Sequence, residues 1–334
     1  MTKENTKIVF MGTPEFAVES LRALIDGGFN VVGVVTATDK PAGRGQKLQF
    51  SAIKKYALEH NLPILQPENL KDEIFLSELK SWHADLFVVV AFRMLPETLW
   101  AMPRLGTFNL HASLLPQYRG AAPINRAIIN GERETGVTTF FIAQGMDTGN
   151  IILQEKMKIE PADNAGTLHD KLMTLGGKLV QETVKQIVAG TVKTLSQNLS
   201  EKVTPAPKIF KETCRINWSL PAEKVHNLVR GLSPYPAAFT ELLLQNGEKI
   251  MVKIFETNYQ ICQHHYVAGQ VVKPSLTSPK EEDGLRKRFP PFGGIKEGLP
   301  VAVPDGFVYL QTLQPAGKKP MSAGDFLRGY QISG

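Results

Sequence analysis

The chain has 334 residues, of which 43% are hydrophobic and 21% charged, and it carries a formal net charge of +6. This composition is typical of a globular protein and excludes a disordered or fibrous chain, and the length favours about two domains. The two cysteines, Cys214 and Cys262, exclude a disulfide framework and a thiolate metal cage. The longest apolar run, residues 86–92, is far shorter than the roughly 20 residues of a membrane span, and the start lacks a signal peptide's apolar segment. We therefore expect a cytoplasmic protein with no membrane partner.

Short β-rich runs alternate with helical patterns over the first 190 residues. Residues 7–12, 31–36 and 84–92 have the apolar character of buried strands, and amphipathic stretches such as 13–28 and 72–82 separate them. This alternation predicts an α/β domain over residues 1–190, with a mostly parallel sheet and helices on both faces. Such sheets bind ligands beyond the carboxyl ends of their strands.

The pattern changes after about residue 190. Residues 191–207 are polar, contain two prolines close together and are predicted to be a linker. Over residues 208–334, one helical stretch precedes short alternating runs separated by Gly, Pro and Asn, which predicts a small β-barrel or sandwich.

The charge of the chain is concentrated in its second part. Residues 1–205 carry 22 basic and 21 acidic side chains, and residues 206–334 carry 16 and 11, so the second part holds +5 of the +6. Such a bias attracts phosphate-rich partners, although a solvated basic face explains the charge equally well.

Two common functional motifs are missing from the sequence. The first strand-to-helix turn has only Gly12 where a dinucleotide fingerprint needs three glycines, which disfavours a nicotinamide cofactor. The histidines form no HExxH pattern, and the adjacent His264 and His265 would point to opposite faces of a strand. We therefore predict no metal site.

One polar pair lies at the predicted end of a buried strand. In TFNLHAS, Asn109 and His111 are two residues apart, so the period of a strand puts both side chains on one face. Asp147 follows another apolar run, in a loop bounded by glycines. An amide, an imidazole and a carboxylate brought together there would suit attack on a carbonyl group. Asn and His at strand ends are also common turn formers, so the spacing alone leaves both interpretations open.

Longer motifs are more specific than this spacing. The segments NLHASLLPQYRGAAPINRAIING and TGVTTFFIAQGMDTGNII resemble the folate-dependent formyltransferases, and KIVFMGTPEFAV, TDKPAGRGQKL and RINWSLPAEKVHNLVRGLSPYPAAFT extend the similarity over nearly the entire chain. The resemblance implies a Rossmann-like catalytic domain and a carboxy-terminal OB-like β-barrel that binds tRNA. It also implies 10-formyltetrahydrofolate as the co-substrate, the α-amino group of initiator methionyl-tRNA as the acceptor, and no metal.

The resemblance also assigns residues. The family's catalytic Asn, His and Asp fall on Asn109, His111 and Asp147. Its folate-contacting stretch falls on Ser113, Leu114, Leu115 and Pro116. Its tRNA-binding pattern falls on Lys40, Arg44 and Lys47 in the loop TATDKPAGRGQKL, and on Lys208, Lys211 and Arg215 at the entrance to the second domain. Taken alone, the loop is better interpreted as a flexible solvated segment, and we expect it to be mobile without tRNA.

One segment departs from the family pattern, and two other functions stay open. Phe-Arg-Met at residues 92–94 stands where Tyr, Gly and an aliphatic residue are usual, so we assign no pterin contact there. A formyltransferase acting on a sugar-nucleotide or purine-precursor amine is one alternative, but the PAGRG loop and the basic second domain favour tRNA. An RNA-binding protein with an inactive enzyme fold is the other, and the intact Asn, His and Asp argue against it. We expect a monomer.

Overall fold

The computed structural model of the chain describes residues 2–42, 47–197, 203–272 and 298–333. The chain divides into two compact units. Unit 1 comprises Met1–Pro123, Glu134–Lys158 and His169–Pro207, and unit 2 comprises Ile124–Arg133, Ile159–Leu168 and Lys208–Gly334. The predicted domain boundaries at residues 190 and 207 stay a prediction. No helix in the described ranges has the length and apolar character that a membrane crossing requires.

Up to residue 206, each helix is followed by one, two or three strands. The strands are β1 (Ile8–Gly12), β2 (Val31–Val35), β3 (Lys40–Ala42), β4 (Lys47–Gln49), β5 (Ile64–Leu65), β6 (Leu86–Val90), β7 (Thr107–His111), β8 (Arg119–Gly120), β9 (Glu134–Phe141), β10 (Ile151–Lys158) and β11 (Pro205–Ala206). The helices are α1 (Glu15–Asp26), α2 (Ala52–Glu59), α3 (Glu73–Ser81), α4 (Glu97–Trp100), α5 (Pro123–Asn130) and α6 (Ala165–Ala189).

The core of unit 1 is a seven-stranded sheet with the order β10-β9-β7-β6-β1-β2-β5. The neighbouring strands β5, β2, β1, β6 and β7 pair in parallel, whereas β9 runs antiparallel to both β7 and β10. The apolar strands β1 and β6 are buried along their whole lengths, as expected for strands covered on both faces. The strand order reverses between β1 and β6, which is the kind of position where such sheets bind ligands.

Helices cover both faces of this sheet. On one face α6 approaches β7 closely, because a Cβ at Gly176 would lie only 2.6 Å from the Leu110 side chain. On the other face, α3 and α4 contribute Phe75 and Leu99 to a buried cluster that includes Val89 of β6. The predicted Rossmann-like sheet with helices on both faces is confirmed.

Unit 2 contains a curled antiparallel sheet. Its strands are β12 (Ala238–Leu243), β13 (Lys249–Ile261), β14 (Leu299–Val303), β15 (Gly306–Pro315) and β16 (Met321–Ser322), in the order β12-β13-β15-β14 with β16 beside β15. The register of β13 shifts at Glu256, and such irregularities bend a strand and increase its twist. Helices α7 (Ala222–Leu232) and α8 (Ala323–Gly329) belong to this unit, as does α5 from Ile124 onward. Val225 and Val229 of α7 are fully buried in the core beside the sheet. This half-barrel confirms the predicted OB-like architecture.

Candidate active site

Strand β7 carries the polar pair at its carboxyl end. Asn109 pairs in register with Val89 of β6 and Phe140 of β9, and His111 pairs with Thr138 of β9. His111 is buried, whereas Asn109 is partly exposed. The side chain of Asn109 makes no hydrogen bond with any residue in the described ranges. Its amide N–H groups are therefore available to a bound molecule.

Both ring nitrogens of His111 face oxygen atoms. Nε2 lies 2.8 Å from the backbone oxygen of Tyr118, and because a carbonyl oxygen only accepts, Nε2 carries the proton of that hydrogen bond. Nδ1 lies 3.8 Å from Oδ2 of Asp147, beyond hydrogen-bond range but within ion-pair range. A second proton on Nδ1 would give an imidazolium with an acceptor opposite each N–H.

Asp147 lies in the loop between β9 and β10. Its φ of 53° is in the left-handed region, which Asp tolerates better than most residues that have a side chain. Its Oδ2 accepts a hydrogen bond of 3.0 Å from the backbone N–H of Gly120. The fold thus brings this carboxylate beside the imidazole of His111, and the catalytic roles of both residues stay predictions.

The turn after β7 contains the predicted folate residues and is hydrogen-bonded to side chains of β9 and β10. Thr138 Oγ1 donates to the backbone oxygen of Ser113 at 2.6 Å and accepts from the backbone N–H of Leu115 at 3.1 Å. Gln154 Nε2 donates to the backbone oxygen of Leu115 at 2.8 Å and to Thr138 Oγ1 at 2.9 Å. A fully buried hydroxyl therefore fixes the backbone of the turn.

The four predicted folate residues differ in what they offer to a ligand. Ser113 is buried, and its hydroxyl donates to the backbone oxygen of Gln117 at 2.6 Å. The side chain of Leu115 is buried in a small apolar cluster. Leu114 and Pro116 are partly exposed. Side-chain contacts with a ligand would therefore fall on Leu114 and Pro116.

The atypical segment after β6 is tied to the loop after β5. Arg93 Nη1 donates to the backbone oxygen of Glu68 at 2.7 Å, and Nη2 donates to the backbone oxygen of Pro67. The guanidinium lies 5.5 Å from the ring centroid of Phe92, within cation–π distance. Partial burial lowers the pKa of Arg93. Arg93 therefore joins two loops at the carboxyl end of the parallel sheet.

The predicted tRNA loop of unit 1 contains a hairpin. β3 and β4 pair antiparallel, with Lys40 opposite Gln49 and Ala42 opposite Lys47. Lys40 is exposed. Arg44 lies outside the described residues, so its predicted role has no structural counterpart here.

A charged network holds the base of this hairpin. Lys54 forms an ion pair with Asp39 and donates to Gln66 Oε1 at 2.7 Å. Gln66 Nε2 in turn donates to the backbone oxygen of Ala37 at 2.7 Å. The Lys54 ammonium also lies 4.2 Å from the ring centroid of Phe50. The hydrogen bond from Lys54 lowers the pKa of Asp39.

The basic residues at the entrance to unit 2 lie on its surface. Lys208 and Lys211 are exposed, and the Lys208 ammonium is 5.8 Å from the ring centroid of Phe210. Phe210 is itself 58% exposed, which is unusual for a large aromatic side chain. Arg215 forms an exposed ion pair of 3.1 Å with Glu241. Exposed pairs of this kind contribute about 0–1 kcal/mol, so a phosphate group can compete for Arg215.

Sequence reasoning missed three residues that support the site. Thr138 lies inside the motif TGVTTFFIAQGMDTGNII, where the resemblance assigned it no role, and Gln154 lies just after that motif, in the neighbouring strand. Gln197 lies in the predicted linker, yet its Nε2 donates to the backbone oxygen of Asp147 at 2.9 Å. Only the alternation of β9 and β10 could have placed the first two on one face, and the sequence has no signal for the third.

The described part of the chain contains no group of three or more His, Cys, Asp or Glu side chains placed to hold a metal ion. The expectation of a metal-free enzyme stays a prediction.

Two family models match the chain. The model described as "Formyl transferase" matches residues 6–184, and "Formyl transferase, C-terminal domain" matches residues 208–331. The methionyl-tRNA formyltransferase of Bacteroides thetaiotaomicron is 55% identical over 100% of this chain and 98% of its own length. That of Flavobacterium johnsoniae is 51% identical over 99% of this chain and 98% of its own length.

Solved structures share the fold. A sugar 3N-formyltransferase crystallised in the presence of dTDP and 5-N-formyl-THF has a TM-score of 0.62 at 22% identity, and the match covers 94% of this chain and 99% of that one. HypX from Aquifex aeolicus in complex with tetrahydrofolic acid has a TM-score of 0.60 at 16% identity, covering 98% of this chain and 48% of that one. The chain therefore belongs to the formyl transferase family, in which the full-length relatives it matches at 51–55% identity are methionyl-tRNA formyltransferases.

Proposed function

We propose that the protein transfers a formyl group from 10-formyltetrahydrofolate to the α-amino group of methionyl initiator tRNA, for translation initiation. One observation carries the proposal: a chain with full-length methionyl-tRNA formyltransferase relatives keeps the amide of Asn109 unbonded among the described residues, near an imidazole–carboxylate pair. The folate compounds in the two structural neighbours support a folate co-substrate.

The chemistry needs little activation of the nucleophile. An α-amino group has a reference pKa of about 7.7–8.0, so an appreciable fraction is neutral near pH 7 and can attack the formyl carbon. Attack forms the new C–N bond and puts negative charge on the formyl oxygen. The Asn109 amide donates a hydrogen bond to that oxygen. This hydrogen bond is stronger with the oxyanion than with the carbonyl oxygen, so it lowers the barrier. The bond to folate N10 then breaks, and N10 receives the proton that the amine has lost.

His111 and Asp147 handle charge and protons around this step. As an imidazolium, His111 places positive charge near the oxyanion, and the Tyr118 oxygen and the Asp147 carboxylate fix the orientation of its ring. Asp147 balances that charge and helps to move the proton from the amine toward N10. The contact between Asp147 and Gly120 N–H holds the carboxylate while the proton is transferred.

The folate lies against the turn 113–116 in this proposal. Leu114 and Pro116 offer side-chain surface, while Ser113 and Leu115 offer backbone groups, because their side chains are buried. The network of Thr138 fixes that backbone before the folate binds, so little ordering is needed on binding.

Two basic surfaces contact the tRNA in this proposal. The hairpin of unit 1 reaches the acceptor end, where unpaired or splayed nucleotides are easier to recognise than a regular A-form helix. The entrance of unit 2 neutralises backbone phosphates. The residues are Lys40, Arg44 and Lys47 in the first surface and Lys208, Lys211 and Arg215 in the second.

The decisive experiment offers the purified protein 10-formyltetrahydrofolate with initiator or elongator methionyl-tRNA and measures formylmethionyl-tRNA. We expect fast formylation of the initiator and slow formylation of the elongator. Equal rates would refute the selection of the initiator, and no formylation of either would refute the function.

A sugar-nucleotide or purine-precursor amine as the acceptor is not favoured. The sugar N-formyltransferase structure is only 22% identical, a level at which similarity concerns the fold, whereas the methionyl-tRNA enzymes match over the full chain. Under the proposed function the protein works in the cytoplasm, and we expect it to sediment as a monomer.

A further inference from the structure

Part of the predicted linker is bound to the loops of the candidate site. Leu195 and Ile151, at the start of β10, exchange two backbone hydrogen bonds of 2.8 Å. Further along, β11 pairs in parallel with β8, and Tyr118 N donates to the backbone oxygen of Thr204 at 2.7 Å. Leu195, Thr204 and β11 therefore bind the strand after the Asp147 loop and the turn after β7.

Gln197 lies between these two pairings and is 8% exposed. Its Nε2 donates to the backbone oxygens of Asp147 at 2.9 Å and Gly149 at 2.7 Å. Its Oε1 accepts from Arg119 Nε at 3.1 Å and also from Nη2 of the same side chain. Both amide hydrogens and the amide oxygen of Gln197 are thus engaged.

The loop that Gln197 holds has a conformation that needs support. The left-handed φ of Asp147 carries an energetic cost, and such conformations persist only where the surroundings hold them. Met146 beside it is 56% exposed, so apolar packing contributes little to holding the loop. The two hydrogen bonds from Gln197 Nε2 therefore stabilise the loop backbone that carries the Asp147 carboxylate.

The amide oxygen of Gln197 is linked to the residue next to the one whose N–H donates to the Asp147 carboxylate. Arg119, which Gln197 accepts from, immediately precedes Gly120, and the Gly120 N–H donates to Asp147 Oδ2 at 3.0 Å. A Cβ at Gly120 would lie 2.6 Å from the backbone oxygen of Ala206, so this turn fits closely against β11. Gln197 thus bonds directly to the backbone of the Asp147 loop and, through the Arg119 side chain, is linked to the turn that contains Gly120.

We propose that Gln197 is a positioning residue of the formyl-transfer site, which holds the Asp147 carboxylate at its distance from His111. The inference rests on the proposed role of Asp147 in formyl transfer. Gln197 touches neither His111 nor a reacting atom, so its effect passes through the loop and the turn. A misplacement of about 1 Å at a reacting group can cost about a hundredfold in rate.

The test compares Gln197→Ala and Gln197→Glu with wild type, using whichever amine acceptor the wild-type enzyme formylates. Gln197→Glu keeps the length of the side chain and an acceptor for Arg119, but it puts an oxygen in place of the N–H donors that face two carbonyl oxygens. For both variants we expect kcat to fall about tenfold to a hundredfold, with the KM for each substrate within about threefold of wild type. Gln186→Ala is the matched control, because the Gln186 side chain donates to Glu182 Oε1 at 3.1 Å on the exposed surface of α6, away from the site.

A double-mutant cycle with Asp147→Asn separates this inference from the proposed function. If Gln197 acts through Asp147, Gln197→Ala should cause almost no further loss of kcat in the Asp147→Asn background. Multiplied losses in the double variant, or a normal kcat in Gln197→Glu, would overturn the positioning role while leaving Asp147 in the mechanism. A normal kcat in Asp147→Asn itself would overturn both the positioning role of Gln197 and the role of Asp147 in formyl transfer. Thermal unfolding of each variant establishes that the folded fraction matches wild type at the assay temperature.

Discussion

Removing the amide of Asn109 should separate catalysis from stability more cleanly than any other change at the site. The side chain is partly exposed and has no hydrogen bond to the described residues, so Asn109→Ala breaks no native hydrogen bond that the structure shows. Its effect on the free energy of unfolding should be within about 0.5 kcal/mol. His111→Ala, by contrast, would remove the buried hydrogen bond from Nε2 to the backbone oxygen of Tyr118, at a cost of about 0.5–1.5 kcal/mol.

The kinetic effect of Asn109→Ala should be large. Loss of one oxyanion donor costs about 2.7–4 kcal/mol in the transition state, which is roughly a hundredfold to a thousandfold in kcat. The assay is the initial rate of formyl transfer at saturating folate, with urea unfolding of the same preparation. Asn109→Asp should lose at least as much, because a carboxylate offers no donor and repels the developing charge.

The control is Asn258→Ala, since Asn258 is also a partly exposed asparagine in a strand, but in unit 2, where its Oδ1 accepts a hydrogen bond of 2.8 Å from the backbone N–H of Tyr259. Its kcat should equal that of wild type. A kcat for Asn109→Ala within about threefold of wild type, in a protein with unchanged stability, would remove Asn109 from the mechanism.

Three further predictions follow from other parts of the structure. Thr138→Val removes a buried hydroxyl that bonds to the backbone of Ser113 and Leu115. The free energy of unfolding should therefore fall by about 2–4 kcal/mol, and the KM for folate should rise. A loss below about 0.5 kcal/mol in urea unfolding would contradict this account. Burial lowers the pKa of His226 from 6.5 to about 4, so the folded state keeps the ring neutral while the unfolded chain takes up a proton as the pH falls. Between about pH 7.5 and pH 5 the wild type should therefore lose about 2 kcal/mol of stability that His226→Gln does not lose, and equal slopes in the two proteins would refute the assignment. Lys208→Ala and Lys211→Ala should each weaken binding to all tRNAs and reduce the slope of log K against log salt by about 1, whereas an unchanged slope would exclude a phosphate contact.

The sequence predicts the sheet well because the relevant signal is local. The runs around Ile8 and Leu86 are apolar without alternation, and only strands covered on both faces tolerate such runs. The polar residues Asn109 and His111 interrupt this pattern two positions apart, so their shared face followed from strand geometry alone. The direction of β9 has no such signal, because strand direction depends on pairing with residues distant in the chain.

The supporting contacts of the site could not be predicted from the sequence, since they join distant segments. Gln197 lies 50 residues after Asp147 and 78 after Arg119, in a polar stretch whose composition is that of a linker. Composition reports which residues prefer solvent, but it does not report which backbone groups a single amide can satisfy. Lys54 is a similar case, because its sequence position on an amphipathic helix gives no sign of its ion pair with Asp39.

The position of Gln197 along the chain also bears on when the enzyme becomes active during its own synthesis. A nascent chain emerges from its amino end, and domains fold as units in that order. Strand β7, which carries Asn109 and His111, and the loop of Asp147 are complete before the ribosome has made α6. The partners of the turn after β7 and of the loop that holds Asp147 are Leu195, Gln197, Thr204 and β11, and all of them follow that helix. We therefore expect the sheet to form first and the ability to transfer a formyl group to appear only after residue 206 has left the ribosome.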